Sequence, residues 1–281
     1  MKPIYLLADI LFPLLCGAML PLFVKKPGKA LRLTVGGITG LTSLFTWALI
    51  LFASAESIDI ISFTRDFSLT LSFDGLGRFF AGLVSTLWPL TTLYAFEYLD
   101  DDPRPVSFYA FFTMAYGVTL GISMAGDLFT LYIFYELLTL TTVPLVLHTM
   151  TREAVRAGIT YFGFSLGGAA FALLSMLYLA NNGPANGSLT LTRLFYVFGF
   201  FGFGVKSAVF PLHRWLPKAS VAPTPVTALL HAVAVVNSGV FAVLRLIYYF
   251  VGAEVLSGTM AQSIAMGFTC VTIVYGSLMA L

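Results

Sequence analysis

The chain is a series of long apolar runs separated by short connections, and this pattern leaves few folds open. Nine runs stand out, at residues 4–24, 31–53, 76–98, 108–125, 128–147, 157–180, 194–210, 226–251 and 258–281. A helix needs about 20 apolar residues to cross a bilayer. Only 10% of the residues are charged and 58% are hydrophobic, whereas a soluble domain carries about 25% charged residues. So few charges cannot clothe a water-facing surface. The sequence predicts an all-α integral membrane protein with about nine transmembrane helices.

None of the nine runs alternates as a barrel strand does. Residues 58–73 alternate in part, through Ile58, Ile60, Phe63, Phe67, Leu69, Leu71 and Phe73, and carry Arg65 and Asp66. They predict a short surface hairpin between the second and third spans. The net charge of +2 is too small to point to nucleic acid. Cys16 and Cys270 lie in separate apolar runs and suggest neither a disulfide nor a metal site. The first run begins near Ile4 and its basic cluster follows it, as in a retained span rather than a cleaved leader.

Loop charges set an expected orientation. Lys25, Lys26, Lys29, Arg32, Arg104, Arg152, Arg156, Arg214 and Lys218 fall on odd-numbered connections. Even-numbered connections carry Arg65, Arg78 and Arg193 with Glu56, Asp59, Asp66, Asp74, Asp127 and Glu254. The more positive side faces the cytoplasm, which puts the N-terminus and the hairpin outside and the turn at Arg214 inside. Gly126-Asp127 alone joins spans four and five, so these are expected to be antiparallel neighbours. Residues 181–187, with three asparagines, two glycines and a proline, read as a polar outside loop. Gly163, Gly167, Gly168, Ala169 and Ala170 would let another helix approach span six closely. The last run stays apolar to Leu281, which fits either a helix ending at the membrane surface or a longer protein.

Charges within the spans narrow the function. Glu136 stands about eight residues, roughly 12 Å, into span five, too deep for a glutamate to snorkel. It is either paired for packing or a proton or ion site. Lys206 lies about a dozen residues into span seven, just before Pro211, and a proline inside a span marks a broken helix lining a polar cavity. A lysine can snorkel further, but it can also exchange a proton with a nearby carboxylate. His231 follows Pro225 in span eight and is either a hydrogen-bonded core residue or a proton relay. His213, beside Arg214, is a candidate proton entry group or an interfacial histidine. His148 reads as interfacial, Arg245 as snorkelling, and Asp74 and Asp127 as helix caps or turn residues. Thr130, Tyr132 and residues 139–142 add hydroxyls near Glu136. These either carry a water chain or bond their own helix, and Pro144 would bend span five.

The chain has no Walker loop, dinucleotide fingerprint, Cys/His metal spacing or nucleophile elbow. No cofactor or metal is expected, and the residues encode transport rather than chemistry on an organic substrate. Three stretches carry a family resemblance: Tyr135-Glu136-Leu137; Lys206-Ser207 with Pro211-Leu212-His213 and Trp215-Leu216-Pro217-Lys218-Ala219; and Ala222-Pro223-Thr224-Pro225-Val226-Thr227-Ala228-Leu229-Leu230-His231-Ala232. In these the sequence resembles the antiporter-like family. That family comprises proton-pumping membrane subunits of respiratory complex I, of Mrp-type cation/proton antiporters and of membrane-bound hydrogenases.

The resemblance implies a three-part organisation: residues 1–106 as three N-terminal helices with the hairpin, 107–251 as a five-helix proton-translocating unit with a broken seventh helix, and 252–281 as the start of a second unit or a terminal helix. It implies Glu136 and Lys206 as an intramembrane pair and His231 as a relay toward the middle of the subunit. The expected partners are other membrane subunits of one complex, including one that supplies a second transport unit, together with protons or Na⁺ and the lipid bilayer. A prokaryotic plasma membrane is implied, as is membership of a translocating oxidoreductase or an antiporter; a non-conducting scaffold is the alternative of a different class. Two positions depart from the family pattern. Asn237 stands where relatives often hold a lysine, and an amide cannot take up a proton at neutral pH. Lys218 stands where many have aspartate.

Overall fold

The computed structural model describes residues 4–24, 28–53, 57–64, 67–186 and 188–280. Lys25, Lys26, Glu56, Arg65 and Asp66, used above for orientation and the hairpin tip, lie outside these residues. The protein is helical almost throughout: α1 (Ile4–Phe23), α2 (Lys29–Phe52), α3 (Gly75–Tyr98), α4 (Pro105–Ser123), α5 (Leu128–Val146), α6 (Arg152–Asn186), α7 (Leu189–Gly204), α8 (Trp215–Ala219), α9 (Thr224–Ala232), α10 (Val235–Arg245), α11 (Ala253–Leu256) and α12 (Met260–Ala280). A 3-10 turn at Leu212–Arg214 precedes α8, and a π-helical stretch at Leu246–Val251 extends α10. Among the described residues, seven helices are long and apolar enough to cross a membrane, and two shorter apolar helical stretches lie at 189–204 and 235–251.

Between α2 and α3 the chain forms an antiparallel hairpin, β1 (Ile58–Ser62) and β2 (Ser68–Leu71). It is fastened to the α4–α5 turn. Ser72 N–H donates to the Met124 carbonyl and Gly126 N–H to the Thr70 carbonyl, each at 2.8 Å. Thr70 N–H reaches the Thr130 hydroxyl at 2.8 Å. The turn itself follows from capping: the Asp127 carboxylate accepts from Thr130 N–H at 2.6 Å and so starts α5. Asp74 does the same for α3 through Gly77 N–H at 2.8 Å.

The centre of the bundle is α4, most of whose residues are buried. Its contact with α1 is close because Gly117 has no side chain: a Cβ there would stand 2.6 Å from the Ile10 carbonyl oxygen. In a bilayer, where lipid tails are as apolar as the side chains, helices associate through such close packing and through polar contacts.

Several local readings of the sequence are corrected. Residues 181–186 continue α6 rather than forming a loop. The amides of Asn181 and Asn182 donate to the Leu177 and Tyr178 carbonyls one turn back, at 2.7 and 3.1 Å, and bind these polar residues to the helix. The eighth run is not one continuous span, since α9 and α10 are separated at Val233-Ala234. There both N–H groups converge on the Leu229 carbonyl, at 3.1 and 2.7 Å, and the register slips by a residue. Arg245 does not snorkel. It is 2% exposed, grips the Asp74 carboxylate with two bonds of 2.6 and 2.9 Å, and lies against the Tyr249 and Phe241 rings. His148, at the end of span five, is buried as well, its Nε2 3.0 Å from Asp102 of the α3–α4 connection and its ring edge-on to Phe108. In both cases a carboxylate from elsewhere in the chain offsets the cost of burial.

The Asp74–Arg245 bridge ties the start of α3 to the end of α10. Removing one partner of a buried ion pair strands the other and typically costs about 3–5 kcal/mol. Arg245→Met should therefore lower the thermal unfolding midpoint of the detergent-solubilised protein strongly, and Asp74→Asn added to it should cause much less further loss than Asp74→Asn alone. Additive losses in the double-variant cycle would contradict the coupling.

Candidate intramembrane proton site

The site is built around an interruption in the seventh run. α7 ends at Gly204, and regular helix resumes only at Trp215 after the 3-10 turn. The interruption begins before Pro211, at residues 205–208, where Ala208 takes a positive φ of 55°. Ending a helix inside an apolar bundle frees carbonyls that must find donors. Three side chains supply donors: the Tyr135 hydroxyl donates to the Phe203 carbonyl at 2.6 Å, the Trp215 indole N–H to the Val205 carbonyl at 2.8 Å, and the Ser207 hydroxyl to the Gly204 carbonyl at 3.0 Å. α10 is pressed against the same place, where a Cβ on Gly239 would come 2.3 Å from the Ser207 backbone nitrogen.

Lys206 occupies the interruption and is 0% exposed. Its ammonium donates to the Tyr135 backbone carbonyl and stands 3.5 Å from the centroid of the Tyr135 ring. Tyr135 thus closes the α7 end with its hydroxyl and holds the lysine with its carbonyl and π-face. Glu136 is the next residue of α5, and it and Lys206 lie within each other's electrostatic field. They are not within salt-bridge distance of each other, and the ammonium donates instead to the Tyr135 carbonyl. Glu136 is partly buried, and its Oε1 is enclosed without a hydrogen-bond partner.

Hydroxyls continue from this point. Tyr161 on α6 is buried, feels the Glu136 charge and shares a 2.8 Å hydrogen bond with Thr142. The Thr139 and Ser165 hydroxyls are buried and unpartnered near Tyr161. Tyr161 packs on Trp215, with ring centroids 4.8 Å apart, so the seam is backed by the indole that caps the interruption. This arrangement juxtaposes a carboxylate, an amine and a short row of hydroxyls in a low-dielectric interior.

The two histidines stand apart from this centre. The half-buried His231 ring pairs with the Ser220 hydroxyl at 3.1 Å, two residues before the α9–α10 discontinuity. The Asn237 amide donates to the Ala232 carbonyl at 2.7 Å, so this side chain serves the backbone of the same discontinuity. His213 is stacked on Phe210 and edge-on to Tyr275 of α12, with its Nδ1 buried and unpartnered.

Sequence reasoning missed Tyr135 as the organising side chain, and nothing in its apolar surroundings marks it beyond adjacency to Glu136. It also passed over Asp9, a buried aspartate in the second turn of the first run.

These features define an α-helical multi-pass membrane protein with ionisable side chains held at a helix discontinuity. Comparison with known proteins places it more narrowly. Residues 125–281 match the model of the NADH:quinone oxidoreductase/Mrp antiporter transmembrane family, and the chain belongs to that family. Among curated relatives, it is 33% identical over 227 residues to an Na(+)/H(+) antiporter subunit of Alkalihalophilus pseudofirmus, a match covering 75% of this chain and 27% of that protein. It is 30% identical over 214 residues to the chloroplastic NAD(P)H-quinone oxidoreductase subunit 5 of Nuphar advena, covering 68% and 29%. The chain therefore spans less than a third of the length of either relative. The fold resembles a chain of the membrane-bound sulfane sulfur reductase, an archaeal respiratory membrane complex, with a TM-score of 0.79 and 21% identity over 92% of this chain and 55% of that one. It also resembles a chain of the Mrp complex from Dietzia sp., with a TM-score of 0.75 and 22% identity over 90% and 29%.

Tyr135→Phe removes the donor to the Phe203 carbonyl and leaves a buried acceptor unpaired, at a cost of about 1–3 kcal/mol. Gly239→Ala forces α10 away from Ser207, and overpacking of this kind costs about 1–3 kcal/mol. Both variants should lower thermal stability in detergent. Proteolysis near residues 205–210 should also accelerate for both, and unchanged cleavage there would contradict the assigned packing.

Proposed function

We propose that this chain is a proton-translocating subunit of a larger membrane complex, and that Glu136 and Lys206 exchange a proton between the α5 carboxylate and the amine at the α7 interruption. The supporting observation is the complete burial of Lys206 against Tyr135, within the field of Glu136. For a buried amine with a carboxylate nearby, desolvation opposes the ammonium and the carboxylate favours it, so its charge state responds to changes in the surrounding charge. A charge change in a neighbouring subunit then suffices to tip the balance. The Thr139, Tyr161 and Thr142 hydroxyls supply a route to or from Glu136 along α5 and α6. His231 is the onward relay in this reading, and His213 a point of entry.

The translocating unit comprises residues 107–251. Loop charges favour an outside N-terminus, and the similarity to a bacterial Na(+)/H(+) antiporter subunit favours a prokaryotic plasma membrane. Asn237 cannot carry a proton onward, so a neighbouring subunit, or chain beyond these residues, provides the second transport unit and the exit half. A second reading, Na⁺/H⁺ exchange, is favoured by the similarity to the Na(+)/H(+) antiporter subunit of Alkalihalophilus pseudofirmus. Both readings use the same proton site.

The test is proton movement by the complex in proteoliposomes. Lys206→Ala and Glu136→Gln should each abolish coupled proton uptake while the complex still assembles on a sizing column. Normal proton movement by both variants would overturn the reading, and failed assembly with each would favour a scaffold. Dependence of wild-type proton flux on Na⁺ would select the exchange reading.

A further inference from the structure

A second polar centre lies within the apolar interior, on helices the proposed translocation path does not use. Asp9, in the second turn of α1, is 1% exposed. Its Oδ2 accepts from the Thr46 hydroxyl of α2 at 2.8 Å, and its Oδ1 is enclosed with no hydrogen-bond partner. The close α1–α4 approach at Gly117 carries the neighbouring Tyr116 toward it. The buried Tyr116 hydroxyl feels the Asp9 charge, lies beside Ser43 and Thr46, and has no hydrogen-bond partner of its own. On α3 the Trp88 ring stacks on Tyr116, with centroids 4.9 Å apart and planes within 9°. Ser85 of the same helix accepts from Ser43 through its carbonyl.

The charge balance at this point is unusual. Among the described residues no cation acts on Asp9, and the only group donating to it is the Thr46 hydroxyl. Tyr116 is the ionisable group on a neighbouring helix that feels its charge. A packing role needs no acid here, because an asparagine or threonine would fill the same space and bond Thr46. An uncompensated carboxylate in hydrocarbon is costly and tends to mark a functional position, and a proton removes the charge.

We propose that Asp9, with Thr46 and Tyr116, is a second intramembrane proton-binding site, built by α1, α2 and α4 and independent of the Glu136–Lys206 pair. Thr46 holds one carboxyl oxygen, and the free oxygen carries the exchangeable proton on the Tyr116 side. The Trp88 ring keeps Tyr116 in place and shields the site from lipid.

Infrared difference spectroscopy of the full chain in its complex, reconstituted in lipid and titrated with pH, tests the proposal. The wild type should show a protonated-carboxyl stretching band that disappears as pH rises. Asp9→Asn, which is nearly isosteric, should lose that band, and Glu136→Gln should keep it; the control separates failure of this site from failure of the Glu136–Lys206 reading. Thr46→Val should retain the band with a displaced midpoint. Identical titrations of the wild type and Asp9→Asn would overturn the proposal. An unmoved midpoint in Thr46→Val would remove Thr46 from the site. Loss of the wild-type band on adding Na⁺ at constant pH would replace the proton site with a cation site.

Discussion

A helix that stops inside an apolar bundle leaves backbone carbonyls that neither water nor lipid can satisfy. In this protein turn N–H groups and the Ser207 hydroxyl meet part of that demand, and two aromatic side chains, Tyr135 and Trp215, are aimed at the Phe203 and Val205 carbonyls. The rest of the centre depends on this arrangement. It fixes where α7 ends, it sets Lys206 in the gap, and it brings Tyr135 near enough to receive the ammonium on its carbonyl and ring.

The same logic holds wherever charge is buried. Arg245 is held by Asp74, a residue that also caps α3, so one carboxylate serves a helix start and an inter-helix bridge. His148 is held by Asp102. Glu136 and Asp9 are exceptions, each leaving a carboxyl oxygen without a partner. Arg245 and His148 each have a carboxylate partner, whereas no cation lies within salt-bridge distance of either of these two acids among the described residues.

Much of the architecture could be read from the sequence because hydropathy reports directly on membrane spans and capping reports on their starts. The hairpin at residues 58–71, the tight Gly126-Asp127 turn and the caps at Asp74 and Asp127 followed from local chemistry. What escaped depends on contacts between distant segments. The α9–α10 discontinuity falls at Val233-Ala234, where neither residue is a helix breaker, and it is paired with the carbonyl capped by Asn237. Arg245 could be recognised as charged but not as Asp74's partner 171 positions away. Glu136 and Lys206 were singled out by depth, by the nearby proline and by the family resemblance, yet Lys206 donates to the Tyr135 carbonyl rather than to Glu136. Residues 181–186 carry turn-forming composition but stay helical.

The position of α12 has a mechanical consequence. This helix exposes most of its surface and is joined to the others along one narrow seam, where Phe268 meets Phe201, the Thr272 hydroxyl accepts from Phe210 N–H at 2.9 Å, and Tyr275 meets Phe210 and His213. Any sideways shift of this helix therefore bears on Phe201 near the end of α7 and on Phe210 and His213 in the interruption, the nearer of which stands four residues beyond the buried amine.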